Sequence, residues 1–389
     1  MRFPEFTEEW KAEQLDNIAT LSKGIGISKE QLSEDGEPCI LYGELYTKYK
    51  SEIIKQVESK TDINGSKLKR SKANDVIIPC SGETAVDIAT ARCVPFDNIL
   101  FGGDLNVISL HQYDGAFMSY QLNGKRKYDI ARVAQGVSIV HLYGEHLKAI
   151  KTYNPTLPEQ QKIAKLLSLL DDRIDTQNKI IEKLQSLIKG LVDELMTVLL
   201  KGKLYPFSSF YIKAGEGGTP TTSVVEYYTE GTIPFIKIED LSCKYLTNNK
   251  DFITELGMQK SSAWLIPSKS VIYSNGATIG AISINEYPVC TKQGILGIVP
   301  NTNINVEYLY LLMSSSYFSK EISRIITEGT MKTAYLKDIN HIKCPLPSMA
   351  QQKNITNLTS SIEEKLSIEQ ELLRFLNLQK QYLLHMMFI

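Results

Sequence analysis

The sequence predicts an α/β (α+β) protein in which a globular domain and a long helix each occur twice in tandem, with the two helices pairing as an antiparallel coiled coil. Three observations support this fold class. The 389-residue chain repeats itself with a shift of 192 residues, both helical stretches carry a heptad pattern, and the regions before them alternate β-branched runs with turn residues. The chain is therefore expected to have a pseudo-two-fold internal repeat.

The repeat is clearest in two helical stretches, from about Pro158 to Leu200 and from about Gln351 to the C-terminus. Shifting the first by 192 residues places Ile163 on Ile355. The preceding regions correspond more weakly, in three pairs of segments: Gly24–Gly26 with Gly215–Gly217, Pro38–Leu45 with Pro234–Leu241, and Asp75–Ile78 with Ser270–Tyr273. We therefore expect a first domain at residues 1–153, a first helix at 154–202, a second domain at 203–346 and a second helix at 347–389.

The β-branched runs predict strands at Val76–Ile78, Val107–Leu110, Val271–Ile272 and Ile295–Val299. Apolar residues in the helices recur in alternating steps of four and three, which is typical of a coiled-coil seam. In the first helix the seam is Ile163, Leu167, Leu170, Ile174, Ile181, Leu184, Ile188, Leu191, Leu195 and Val198, with Gln177 as its polar member. In the second helix it is Ile355, Thr359, Ile362, Leu366, Glu369, Leu373, Leu376, Lys380, Leu383 and Met387. An ordinary core helix is the alternative, but such helices average about 11–12 residues.

Composition excludes several classes of protein. A hydrophobic fraction of 43% and a charged fraction of 22% are those of a globular protein. The net charge of −1 excludes a globally basic nucleic-acid protein but leaves room for a local basic face. No apolar run approaches the roughly 20 residues of a membrane span, and Met1–Glu5 does not begin a secretory signal. The six scattered cysteines form no CxxC pair, so neither a disulfide framework nor a zinc site is predicted, and we expect a cytoplasmic protein.

Catalytic motifs are incomplete. Asn154-Pro155-Thr156-Leu157 lacks the second proline and the aromatic residue with which adenine methyltransferases hold a flipped base. Gly24-x-Gly26 and Gly215-x-Gly217-Gly218 lack the rest of a phosphate-binding signature, so turns explain these glycines better. The five histidines lack metal-ligand spacing. We therefore predict no catalytic residue and no metal site in the chain.

Basic and aromatic residues cluster in the first domain, and polar loops mark the second. Cations suit phosphate contacts, and Asn, Gln and Glu can pair with base edges. The candidate DNA-binding residues of the first domain are Lys23, Tyr42, Tyr46, Lys48, Lys50, Lys69, Arg70, Lys72, Ser81, Thr84, Lys125, Arg126 and Lys127. Those of the second domain are Thr219, Thr221, Lys237, Asn275, Thr278, Lys292, Gln293, Lys332 and Tyr335. A solvated charged loop explains any single cluster about equally well.

The whole chain resembles the specificity (S) subunits of type I restriction–modification systems, the HsdS family. The resemblance rests on the doubled organisation, the opening Arg2–Phe6, the Leu-Pro…Gln-Gln segments at Leu157–Gln161 and Leu346–Gln352, and the closing Met386–Ile389. It implies two target-recognition domains that each read half of an asymmetric, bipartite DNA sequence. It also implies a helical spacer that sets the gap between the halves and docks two methyltransferase (M) subunits.

The same resemblance implies that the chain is a non-catalytic subunit of a DNA methyltransferase and endonuclease complex. S-adenosylmethionine is then expected on the M subunits, and ATP and Mg²⁺ on the restriction (R) subunits, with no cofactor in this chain and no membrane partner. Two alternatives stay open at this point. One is a stand-alone DNA-modifying enzyme, and the other is a coiled-coil scaffold without a DNA role.

Overall fold

A computed structural model describes residues 2–64, 67–136, 138–276, 278–326 and 332–388. The chain forms two compact units, one of Met1–Lys179 with Gln370–Ile389 and the other of Ile180–Glu369. Each long helix contributes to both units: these are α7 (Leu157–Leu199) and α12 (Met349–Met387). The predicted boundaries between domains and helices stay a prediction.

The first unit contains twelve strands among its described residues: β1 (Lys11–Gln14), β2 (Ala19–Lys23), β3 (Glu37–Ile40), β4 (Lys60–Thr61), β5 (Lys69–Arg70), β6 (Asp75–Pro79), β7 (Ser81–Gly82), β8 (Arg92–Val94), β9 (Leu100–Phe101), β10 (Leu105–Leu110), β11 (Val140–His141) and β12 (Lys151–Asn154). Its shorter helices are α1 (Leu15–Ile18), α2 (Glu44–Thr47), α3 (Ala85–Ile88), α4 (Gly115–Asn123), α5 (Lys127–Val133) and α6 (Gly144–Lys148), with a 3₁₀ helix at Lys29–Gln31. The predicted strands at Val76–Ile78 and Val107–Leu110 are confirmed as parts of β6 and β10.

Two four-stranded sheets form the body of the first unit. One has the order β2-β10-β6-β8 and is antiparallel throughout. The other has the order β4-β3-β9-β5, in which β3 and β9 run parallel. Strands β6 and β10 are almost wholly buried, which fits their β-branched sequences.

The described part of the second unit contains β13 (Leu204–Pro206), β14 (Tyr211–Glu216), β15 (Ile233–Ile236), β16 (Tyr245–Leu246), β17 (Asp251–Ile253), β18 (Val271–Ser274), β19 (Ile282–Asn285), β20 (Cys290–Thr291), β21 (Ile295–Pro300) and β22 (Lys343–Pro345). Its shorter helices are α8 (Glu255–Gln259), α9 (Val306–Ser314), α10 (Ser316–Ile325) and α11 (Leu336–Ile339), with 3₁₀ helices at Phe207–Ser209, Val225–Tyr227 and Ile238–Asp240. The predicted strands at Val271–Ile272 and Ile295–Val299 are confirmed as parts of β18 and β21.

The sheets of the second unit repeat those of the first. The order β14-β21-β18-β19-β16 corresponds to β2-β10-β6-β8 with one added edge strand, and β17-β15-β20 corresponds to β4-β3-β9. The parallel pair recurs as β15 with β20. The internal repeat predicted from the sequence is therefore confirmed in the strand topology.

Two buried glutamines show the repeat at atomic detail. Gln160 Oε1 accepts a hydrogen bond from the backbone N–H of Asp114, 2.9 Å away, at the start of α4. Its Nε2 donates to the carbonyl of the proline five residues before it. Gln352, 192 positions later, accepts from Asn305 N–H at 2.7 Å, at the start of α9, and also donates to the proline five residues before it. Each glutamine thus fixes the start of a long helix to the domain that precedes it.

The long helices pack antiparallel within each unit. In the first unit, Ile163 of α7 shares an apolar cluster with Met387 of α12, whereas Asp171, two turns further along α7, contacts Lys380. In the second unit, Ile355 of α12 packs with Met196 of α7. The residue numbers rise along one helix as they fall along the other, as in an antiparallel pair.

The residues predicted for the seam are shielded from solvent, except at the end of α7. The seam residues Leu170, Ile174, Ile181, Leu184, Ile188, Leu191, Ile362, Leu366, Leu373, Leu376 and Leu383 are all buried or half-buried. The assignment of Val198 is wrong, because its side chain is 61% exposed. Val192 and Met196 are buried there instead. Around a straight helix, the heptad positions drift by about 20° per heptad. At the end of α7 this drift moves Val198 towards solvent and places Val192 and Met196 in the core of the second unit.

Candidate nucleic-acid interface

Loops from both sheets of the first unit are bonded together at one end of β6. Gly24 N–H donates to Leu105 O at 2.9 Å, and Gly102 N–H donates to Ile40 O at 2.9 Å. Cys80 N–H donates to Asp104 O at 2.7 Å, and Leu142 N–H donates to Cys80 O at 2.8 Å. We call residues 24–27, 41–46, 80–84, 102–104 and 141–144 the first loop cluster. Its position follows from the parallel β3–β9 pair, which brings two strand ends to the same edge.

The second unit builds an equivalent cluster with the same bonds. Gly217 N–H donates to Ile295 O at 2.9 Å, and Lys292 N–H donates to Ile236 O at 2.9 Å. Asn275 N–H donates to Gly294 O at 3.0 Å, and Ala334 N–H donates to Asn275 O at 2.9 Å. Residues 217–221, 237–241, 275–276, 278–280, 291–294 and 332–335 form the second loop cluster. Ala277 of the predicted Asn275–Thr278 loop lies outside the described residues.

Close backbone approach explains the glycines that the sequence assigned to turns. A Cβ on Gly24 would clash with the carbonyl of Gly102, and one on Gly217 would clash with that of Thr291. The two glycines therefore occupy equivalent places, and the pairing of Gly24 with Gly215 was wrong by two residues. The interpretation as turn glycines was also wrong for both, because neither lies in a turn and each follows a strand in a loop. A glycine here lets the loop after the first strand of each sheet lie against a neighbouring strand.

Some of the residues predicted to bind DNA in the first domain lie in or beside the first loop cluster. Lys23 ends β2, and Tyr42 is exposed after β3. The Tyr46 hydroxyl donates to Ser81 O at 3.1 Å, and Ser81 Oγ lies 3.2 Å from an Asp104 carboxylate oxygen. Thr84 caps α3 and is exposed. These five residues therefore lie in or beside the same loop cluster.

Other predicted residues of the first domain lie elsewhere or are already paired. Lys48 pairs with Glu44 at 2.7 Å, and Arg70 with Glu37 at 2.6 Å. Lys50 is exposed beyond α2, and Lys69 lies opposite Phe101 on an edge strand. Lys72 precedes β6 and so lies at the opposite end of that strand from the first loop cluster. Lys125 and Arg126 lie between α4 and α5, and Lys127 is the first residue of α5; Arg126 pairs with Asp129 at 3.3 Å. Local charge in the sequence did not reveal at which end of a strand each cluster lies.

The residues predicted in the second domain all belong to the second loop cluster. Thr219 Oγ1 accepts from Gln293 N–H at 3.4 Å, and Lys237 pairs with Asp251 at 2.8 Å. Asn275 is buried and donates from its side chain to Ala334 O at 3.1 Å. The exposed members are Thr221, Thr278, Lys292, Gln293, Lys332 and Tyr335. The predicted polar loops are thus brought together, although their contact with DNA stays a prediction.

One residue of the first loop cluster was not selected from the sequence. Tyr143 is exposed there and stacks on His141, with ring centroids 6.2 Å apart. It also lines a surface pocket of about 550 Å³ together with Lys23. The signal was available, because Tyr143 lies 192 residues before Tyr335, which the sequence did select.

A buried charge network joins the first domain to both long helices. Lys380 Nζ lies 2.6 Å from Glu52 and 2.6 Å from Asp171, and the Tyr120 hydroxyl donates to Asp171 at 2.7 Å. Burial raises the pKa of Asp171, and the Lys380 ammonium opposes that rise. Burial lowers the pKa of Lys380, but the two carboxylates outweigh it and hold that pKa above its ordinary value. The network therefore keeps a cation in place between two buried acids.

The second unit has a related network at the repeat-equivalent position. Glu363, 192 residues after Asp171, lies 2.6 Å from Lys244 Nζ, which also lies 2.6 Å from Glu307. Burial lowers the pKa of Lys244, but hydrogen bonds to these two acids raise it overall. In both units an acid on a long helix is thus neutralised by a lysine at the junction with the domain.

The described residues contain no group of three or more His, Cys, Asp or Glu side chains placed to hold a metal ion. None of the helices in the described part of the chain carries an apolar stretch long enough for a membrane crossing.

Comparison with known proteins places the chain in one family. The family model described as the type I restriction modification DNA specificity domain matches twice, at residues 7–186 and 210–377. A specificity subunit of the type I restriction enzyme MjaVIII from Methanocaldococcus jannaschii is 24% identical over 94% of this chain and 88% of its own. An Escherichia coli type I restriction enzyme specificity subunit is 30% identical, and the match covers 43% of each chain. The MjaIX specificity subunit from M. jannaschii is also 30% identical, over only 35% of its own length.

A solved structure has the same fold. The crystal structure of a type I restriction–modification S subunit from M. genitalium superposes with a TM-score of 0.60, covering 100% of this chain and 97% of that one at 19% identity. The two family-model matches together span most of the sequence, one on each half of the repeat. The chain therefore belongs to the family of type I restriction–modification DNA specificity proteins.

Proposed function

We propose that this chain is the sequence-reading subunit of a type I restriction–modification complex. Each of its two target-recognition domains binds one half of a bipartite DNA sequence through its loop cluster, and the chain itself performs no chemistry. The observation that carries the proposal is the occurrence of two equivalent loop clusters in one chain, held by the same backbone bonds but carrying different side chains. Equal frameworks with unequal side chains suit the reading of two unlike half-sites.

The helices are proposed to carry the methyltransferase subunits. On α12, the large apolar residues Leu372, Phe375, Leu378 and Tyr382 are exposed, although the seam of the same helix is buried or half-buried. They recur every three or four residues and so form a second apolar stripe on one face. Exposed apolar stripes of this kind are typical of protein–protein interfaces. Two methyltransferase subunits would bring S-adenosylmethionine, and restriction subunits would bring ATP and Mg²⁺.

Exchange of one domain tests the reading of half-sites. Residues 1–153 are replaced by the matching domain of a related specificity subunit, and methylated adenines are mapped across the genome of a host that also makes the M subunit. We expect one half of the methylated sequence to change and the other half to persist. A change in both halves, or in neither, would refute independent reading by two domains.

Two further measurements separate this proposal from its alternatives. The purified chain alone, incubated with labelled S-adenosylmethionine and DNA, should transfer no label, whereas a stand-alone methyltransferase would. Affinity of the chain for mixed-sequence duplex DNA should fall with rising salt, because released counterions contribute to binding by cationic loops. A scaffold without a DNA role would give no binding at any salt concentration.

A further inference from the structure

Two tyrosines occupy the same place in the two loop clusters. Tyr143 and Tyr335 are 192 residues apart, and each is the N-cap residue of a short helix, α6 or α11. The residue before each tyrosine donates its N–H across the cluster, from Leu142 to Cys80 and from Ala334 to Asn275. Each tyrosine is 46% exposed. The fold therefore presents one aromatic side chain at the same point of each cluster.

Neither ring packs into an apolar core of the described residues. The residues beside them, Leu142 and Leu336, pack in or against the apolar cores, but the two tyrosines belong to no core cluster of the described residues. Within the described part of the chain, no hydrogen bond is made by either hydroxyl, in contrast to Tyr46, whose hydroxyl bonds to Ser81 O. A half-exposed tyrosine with a free hydroxyl is available for a partner that is apolar on one side and polar on the other.

A lysine accompanies each ring. Lys23 Nζ lies 5.7 Å from the ring centroid of Tyr143, and Lys337 Nζ lies 5.5 Å from that of Tyr335. The two lysines do not correspond in the repeat. Lys23 is the last residue of β2, far before Tyr143 in the sequence, whereas Lys337 lies in α11, two residues after Tyr335. The two halves of the chain thus reach the same pairing of aromatic ring and cation by different routes. A cation beside an aromatic face suits a polyanion that also offers sugar and base surfaces.

Buried asparagines hold the tyrosine segments in place. In the first unit, Asn106 Nδ2 donates to Leu142 O at 3.0 Å, and in the second, Asn275 Nδ2 donates to Ala334 O at 3.1 Å. Both asparagines are 1% exposed, and within the described residues the Oδ1 atom of each has no hydrogen-bond partner. A buried side-chain acceptor without a protein partner in the described part of the chain thus lies beside each tyrosine segment, and an unsatisfied group of this kind calls for an explanation.

We propose that Tyr143 with Lys23, and Tyr335 with Lys337, are matching contacts to duplex DNA, one for each half-site. The tyrosine ring packs on a sugar or base edge, and the lysine binds a flanking phosphate. This inference rests on the proposed reading of DNA by the two domains, and it names the residues that make equivalent contacts there.

Binding is measured with the complex of this chain and its M subunit, by fluorescence anisotropy on a duplex that carries the methylated sequence mapped in the host. Loss of the aromatic contact should weaken specific binding by about 5- to 150-fold in each of Tyr143→Ala and Tyr335→Ala. Tyr143→Phe and Tyr335→Phe should keep most of the affinity. Because the two tyrosines lie in separate units, the losses in the double alanine variant should multiply.

The lysines and a control tyrosine give independent readouts. Lys23→Met and Lys337→Met should each reduce the salt slope of binding by about one, while the alanine variants of the tyrosines leave that slope unchanged. Tyr128→Ala is the matched control, since Tyr128 is exposed on α5, outside both loop clusters, and its loss should not alter affinity. Each variant is compared with the unaltered chain by thermal unfolding, and equal melting temperatures are expected for these exposed sites.

Two results would distinguish a failure of the tyrosine proposal from a failure of the proposed function. If the unaltered complex binds and methylates a specific sequence but Tyr143→Ala and Tyr335→Ala bind as tightly as Tyr128→Ala, the tyrosine proposal is wrong and the proposed function stands. If the unaltered complex shows no preference for any DNA sequence, the proposed function itself fails.

Discussion

Removing the Lys380 ammonium should destabilise the first unit by far more than removing an exposed lysine. Lys380→Met keeps most of the alkyl chain but leaves Glu52 and Asp171 buried without their cation. Removing one partner of a buried ion pair costs about 3–5 kcal/mol, because the remaining charge is neither solvated nor neutralised. Here two acids remain, so we expect the upper half of that range.

Lys55→Met is the matched control. Lys55 pairs with Asp172 and Asp175 of α7, whose side chains are 54% and 39% exposed. Exposed pairs contribute about 0–1 kcal/mol, since water already solvates each charge. Both substitutions remove one positive charge, so the difference between their stability losses measures the effect of burial.

Tryptophan fluorescence can follow the first unit by itself. The sequence has 2 tryptophans, and Trp10 packs edge-on against Phe117 with ring centroids 5.7 Å apart. In a Trp264→Phe background, urea unfolding monitored by Trp10 reports on this unit. Equal midpoints for Lys380→Met and Lys55→Met would refute the reasoning.

The deficit of Lys380→Met should also depend on pH. Burial already raises the pKa of Asp171, and loss of Lys380 removes the main opposing influence, so the folded-state pKa rises further. An acid whose pKa is raised on folding destabilises the protein above that pKa, and the penalty disappears as pH falls and the folded state takes up the proton. The deficit should therefore be smaller at about pH 5.5 than at about pH 8. A deficit that is constant over this range would contradict the assignment of Asp171 as the stranded charge.

Two further predictions follow from the helices. Gln160→Ala and Gln352→Ala should each cost about 1–3 kcal/mol, because each leaves a part-buried N–H at the start of a helix unpaired, and urea midpoints measure the loss. Leu376→Asp should cost several kcal/mol and reduce co-purification of the M subunit, because the side chain is 4% exposed in the seam. Leu378→Asp, two residues away and 49% exposed, should leave stability within about 0.5 kcal/mol and test the exposed stripe alone. Equal stability losses at 376 and 378 would show that the seam is wrongly assigned.

The long-range features of the fold were predictable where a period or a repeat existed. Heptad spacing gave the seam through Leu191, and β-branched runs gave β6, β10, β18 and β21. Strands of two residues, such as β9 and β20, are too short to carry a period, so the parallel pairs that they form could not be read from local pattern. The failure at Val198 arose because a straight helix drifts by about 20° per heptad, and this drift has accumulated over about four heptads by Leu191.

The residue types of the candidate site were predictable from the sequence, but the positions of these residues in the structure were less so. The polar loops of the second domain lie together in the structure, although only the loop at Asn275 follows a strand that the sequence predicts. In the first domain, the basic cluster at Lys72 does not lie with the first loop cluster. Lys72 precedes β6, whereas Ser81 of the first loop cluster follows it. Tyr143 was missed because it stands in no basic cluster, although the repeat alone pointed to it.

Lys380 also distinguishes the two long helices of the duplicated chain from each other. Its repeat counterpart, 192 residues earlier, is Ile188. If the α7 helix of a second molecule took the place of α12 in the first unit, an isoleucine would face the buried carboxylates of Glu52 and Asp171. Duplicated proteins are exposed to exchange of equivalent segments between molecules, and a buried charge that only the correct segment can neutralise disfavours that exchange. Lys380 thereby favours packing of the first unit with α12 of the same molecule over packing with α7 of another molecule.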